Sequence, residues 1–174
     1  MRSNKELGTD ESGVLSLSAL EDPSYKAVFA SLQDELIDGE EIPGDVAVSL
    51  MRSTVRGITA SSFSLRPQDR YPIGSVESPG KSAHIKFTDS APEYSRIVLG
   101  QPPRTGQVLV DICAFELREV GFRALYAPVP THPLHVRLVH NSHLRNPTSP
   151  ADIPEDARSS LARIVNYDLQ RARE

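Results

Sequence analysis

Leu134-His135-Val136-Arg137-Leu138-Val139 repeats, position for position, an arrangement already met at Ala83-His84-Ile85-Lys86-Phe87: apolar, His, β-branched, cation, apolar. Alternation over five or six residues has the period of a strand, so both segments are expected to be half-buried β-strands. Each histidine then shares a polar face with the cation two residues on, His84 with Lys86 and His135 with Arg137.

Other elements follow on either side. Asp22-Pro23 supplies a helix cap and a favoured first residue, and Tyr25, Val28, Phe29, Leu32 and Leu36 recur at helical spacing until Gly39. Val46, Val48 and Leu50 alternate as a strand. From Ser53 to Gly80 the chain is rich in Ser, Thr, Pro, Gly and Arg, with room for one short strand at Ile73 to Glu77. Ser90 caps a short helix that Gly100 stops, Val108 to Ile112 is a buried strand, and a helix runs from about Ile112 to Val120 with Gly121 as its stop. Asp152 with Glu155 has the form of a capping box for a last helix striped by Leu161, Ile164, Val165 and Leu169. Short strands interleaved with short helices predict an α/β or α+β fold, a small mixed β-sheet with short helices packed on it, loop- and proline-rich. Residues 1–20, polar and Ser-rich, are expected to form a mobile arm, and 21–174 a single globular domain.

The net charge of −4 hides a division along the chain: residues 1–50 carry −8 and residues 51–150 carry +5. Between Val120 and Ala151 there is no Asp or Glu, yet Arg123, Arg137, Arg145, His132, His135, His140 and His143 all fall there. Such a segment attracts anions, increasingly so as imidazoles charge near pH 6.5. A single cysteine, Cys113, excludes an internal disulfide and a thiolate zinc cluster, and no apolar run is long enough for a membrane helix. A cytoplasmic location is expected, with no membrane partner.

Two strands each showing a histidine and a cation suit general base and general acid work on a phosphodiester. The pattern resembles the two-histidine phosphoesterases, although Lys86 and Arg137 stand where that family has Thr or Ser. The resemblance implies a metal-independent phosphoesterase or ribonuclease with His84 and His135 as its catalytic pair, provided the imidazoles lie about 5 to 8 Å apart. A different class of reading makes the chain a non-catalytic binding or accessory subunit. It would engage a partner protein and an anionic, phosphate-bearing ligand through Lys86, Arg137, Arg123, Arg145 and Arg56. A third is a nucleic-acid-binding module using Arg52, Arg56, Arg66 and Arg70 with Tyr71 and Phe63. No metal and no cofactor is expected: His132-x-x-His135 would point its rings to opposite sides of an extended chain, and no phosphate-binding glycine loop occurs.

Overall fold

The computed structural model of the protein describes residues 19–53, 57–73 and 75–173. Residues 1–18, most of the expected arm, and the candidate Arg56 lie outside the described residues. Ala19 and Leu20 are helical and Ala19 is fully buried, so the core begins within the segment read as an arm.

Helix α1 (Pro23–Leu32) starts where the sequence places it, with the Asp22 carboxylate accepting the Tyr25 N–H at 3.0 Å. Seven strands follow: β1 (Ala47–Ser53), β2 (Arg70–Ile73), β3 (Val76–Pro79), β4 (Lys81–Ile85), β5 (Gln107–Cys113), β6 (Phe122–Tyr126) and β7 (His135–His140). Five of them form a sheet in the order β5-β1-β4-β7-β6, and β2 and β3 form a separate hairpin. All of these pairings are antiparallel, so the fold is α+β. The helices are α2 (Ala91–Tyr94), which runs through a π turn to Gly100, α3 (Ala114–Glu119), α4 (Asn141–Arg145) and α5 (Glu155–Arg173).

Two elements differ from the sequence expectation. The segment Ile73 to Glu77 is not one strand but spans the turn of the β2–β3 hairpin. Strand β6 lies in a stretch to which the sequence reading assigns no element. Gly121, at φ 91°, ends α3 and reverses the chain, and a Cβ there would come within 3.2 Å of His140 Nε2. β6 then runs back beside β7, with Ala124 opposite Leu138. Residues 39–42 cover its outer edge: the Gly39 N–H donates to Tyr126, the Tyr126 N–H to Glu40, and the Ile42 N–H to Ala124. A covered edge cannot recruit another strand.

Register sorts the sheet into two unlike faces. Val48, Leu50, Ala83, Ile85, Val110, Ile112, Ala124, Val136 and Leu138 share one face and are all buried. Ser49, Ser82, His84, His135 and Arg137 share the other. α5 packs against β5 and the 3-10 turn Ala60–Phe63, and its Asn166 amide donates to the Ile58 carbonyl at 2.7 Å. The expected capping box does not form. Asp152 accepts instead from Leu65 N–H, Ile153 N–H and the Ser64 hydroxyl, joining the start of α5 to that loop.

Buried Asp69 fixes the approach to the hairpin. Burial alone would raise its pKa, but bonds from Arg66 and Lys81 outweigh that and hold it down at about 2. Lys81 is therefore bound to the loop before β2, which sets where β4 begins.

Candidate functional site

The polar face carries a cluster around His84, which is only 1 % exposed. The expectation of a half-exposed polar face is corrected here, because α1 lies over the strand and Tyr25, Phe87 and Tyr94 surround the imidazole, with ring centroids at 5.4, 6.0 and 6.2 Å. The Tyr25 hydroxyl accepts the Leu134 N–H at 3.0 Å and lies 2.8 Å from His84 Nε2. The one hydroxyl thus pairs with both the backbone of the segment before β7 and the imidazole of β4.

The two echoed histidines do meet. His84 and His135 face each other across β4 and β7 with centroids 6.3 Å apart, and His132 joins them at 5.5 Å from His84. A turn closed by reciprocal Val129 and His132 backbone bonds brings His132 to the same side as His135. This corrects the expectation that residues 132 and 135 point to opposite sides, which assumed an extended chain. His135 uses both ring nitrogens. Nδ1 donates to the Ala127 carbonyl at 2.8 Å, so Nε2 is the acceptor and receives the Ser82 hydroxyl at 2.6 Å. Among the described residues no group of His, Cys, Asp and Glu is placed to hold a metal ion.

Burial pushes the pKa of all three imidazoles below 6.5. For His84 the shift is large and is reinforced by His132 and His135; for His132 it is reinforced by His135, and for His135 by Arg137. The imidazoles therefore charge at lower pH than free ones, and any attraction of anions through their charging sets in below pH 6.5. Stability should respond in a definite direction. The unfolded chain takes up protons near 6.5 while the folded one resists them, so stability is full above about pH 7 and declines as pH falls below about 6.5. Melting temperature between pH 8 and pH 5 should fall before the carboxylates titrate. A flat profile down to pH 5 would contradict this burial.

Two cavities adjoin the cluster, and His135 lines both. The first, about 410 Å³, is walled by Gly39, Tyr71, Tyr126, Pro128, His135 and Arg137, with Asp38 among its lining residues. Arg137 is 3 % exposed, its guanidinium sits over the Tyr71 ring at 5.6 Å, and its Nη1 is buried without a hydrogen-bond partner. The second, about 510 Å³, opens where β1 and β4 part. These strands are in register only at Val48–Ile85 and Ser49–His84, while β1 stays paired with β5 along its whole length. Leu50, Met51, Val98 and Leu99 give this cavity an apolar wall, and Arg52, Gln107, Ser82, His84, His132 and His135 are its polar members.

Apart from Arg52, which lines the second cavity, the remaining candidates lie elsewhere. Lys86 does not join Arg137, because Asp89 and Asp111 bind its ammonium. Arg123 pairs with Glu41 at 3.7 Å, and exposed Arg145 ends α4; neither lines either cavity. His140 caps α4 by accepting the Ser142 N–H, and buried His143 donates to the Ala151 carbonyl. Of the loop arginines, Arg66 is held by Asp69, Arg70 by the Glu77 carbonyl, and Arg52 stacks over Phe63 at 4.9 Å. Tyr25 and Ser82 are the site residues that sequence reasoning missed. Tyr25 was legible only as part of a helical stripe, and nothing in the sequence marks Ser82. No family model, curated protein or solved structure matches the chain, so the functional argument rests on this geometry.

Proposed function

We propose that the protein binds a small ligand bearing a carboxylate or phosphate in the cavity lined by Arg137, as a cytoplasmic binding or accessory component. The buried guanidinium carries this reading. A guanidinium withdrawn from water costs several kcal/mol unless an anion meets it, and its planar fork, with Nη1 unpartnered, suits two oxygens of one group. Asp38, exposed and with no bond to Arg137, supplies only part of that charge. Tyr71 and Tyr126 offer ring faces to the rest of the ligand. The phosphoesterase reading is less favoured, because the Nε2 of His84 is already committed to Tyr25 beneath α1.

A melting series with phosphate, citrate, malonate and a nucleoside monophosphate tests the proposal, with chloride as the control at matched ionic strength. At about one hundred times its Kd a true ligand stabilises the fold by about 2.7 kcal/mol, and the shift saturates. Equal and unsaturating shifts with every anion, chloride included, would overturn it.

A further inference from the structure

We infer that Ser82 is a nucleophile for acyl transfer, activated by His135, and that the substrate is an ester of an aliphatic carboxylic acid. This inference uses the cavity between β1 and β4 and does not depend on an anion at Arg137. The first ground is hydrogen-bond direction. Because the Ala127 carbonyl holds the Nδ1 proton, the free lone pair of Nε2 faces the Ser82 hydroxyl at 2.6 Å. A base oriented by a third group and aimed at an exposed hydroxyl is the arrangement that nucleophilic catalysis requires. Here the orienting group is a main-chain carbonyl in place of a carboxylate.

The second ground is a backbone donor for the developing oxyanion. Along β4 the backbone N–H groups alternate, Ile85 donating to Leu134 on one side and Lys86 to Ala47 on the other. The Ser82 N–H therefore points toward β1, where no β1 residue is in register with it, and so faces the cavity. The third ground is the apolar wall of Leu50, Met51, Val98 and Leu99, which fits an acyl chain.

The chemistry balances without a metal or a redox partner. Ser82 Oγ attacks the ester carbon while its proton passes to His135 Nε2. The tetrahedral intermediate collapses, the bond to the alcohol oxygen breaks, and the alcohol leaves with that proton. Water then attacks the acyl-serine, again giving its proton to Nε2. The acid departs as the proton returns to Ser82 Oγ. The imidazole, kept neutral by burial, is ready as a base throughout the neutral range.

The full chain should be treated with a fluorophosphonate probe and the adduct mapped by mass spectrometry, and hydrolysis of p-nitrophenyl hexanoate followed in parallel. The expected result is one adduct on Ser82, hydrolysis reduced to background in Ser82→Ala, and kcat/KM lowered by roughly 100-fold or more in His135→Gln. Because Ser82 is exposed, Ser82→Ala should melt with the parent protein, and these two proteins decide the matter even if His135→Gln does not fold. An unlabelled Ser82 in the folded parent protein, or Ser82→Ala hydrolysing at the parent rate, would overturn the inference. Labelling of a folded His135→Gln at the parent rate would do the same.

Discussion

Tyr25→Phe, the loss of one oxygen, is expected to lower the free energy of unfolding by about 2 to 6 kcal/mol. The ring remains and its packing against Phe87, at 4.8 Å between centroids, is preserved. What disappears is the single group that serves both the Leu134 N–H and His84 Nε2, in a place that water does not reach. Each buried polar group left without a partner costs about 1 to 3 kcal/mol, and here two are left at once. A change this small on the outer side of α1 would be worth a few tenths of that. Urea unfolding of the two proteins measures the difference. A loss under 1 kcal/mol would show that the hydroxyl is not the link between α1 and the sheet.

Arg137→Met is expected to separate function from stability. Removing a buried guanidinium that lacks a full counter-charge should leave the free protein as stable as before or raise its stability by about 1 to 4 kcal/mol. The same change should raise the Kd of any ligand found in the melting series by roughly 100-fold, equivalent to about 3 kcal/mol, because the anion loses its only buried cation there. Calorimetric titration alongside urea unfolding reads both quantities. If the variant is less stable by more than 1 kcal/mol and still binds, the guanidinium serves the fold through Tyr71 and the ligand reading fails.

The two echoed strands were legible because their alternation is local, but their adjacency was not, since strand order is set by connections that no single strand records. His84 pairs with His135 in the sheet itself. What one strand cannot show is what covers it. The fate of His84 was decided by Tyr25, 59 residues away, and that of Lys86 by Asp111, 25 residues away. A carboxylate brought in from another element cancels a cation that the local sequence presents as free. Counting acids between Val120 and Ala151 singled out Arg137, Arg123 and Arg145 alike. It overvalued Arg123, because Glu41 arrives from the acidic end of the chain to line the edge of β6. Strand β6 was hidden for a similar reason: Phe122 to Tyr126 has no clear alternation, since Ala124, Leu125 and Tyr126 are buried on both faces. Ser82 gave no signal, because a serine beside a lysine in a strand is ordinary until a histidine from another strand is set against it.

The most direct measurement follows the arginine Nε–Hε resonances of the full chain by NMR while phosphate is added at constant ionic strength. The signal absent from Arg137→Met identifies Arg137. Binding in the cavity predicts that this signal moves along a saturable curve while those of exposed Arg66 and Arg96 barely change. An Arg137 signal that stays fixed while the exposed arginines drift without saturation would contradict the proposal that this buried guanidinium is the anion site.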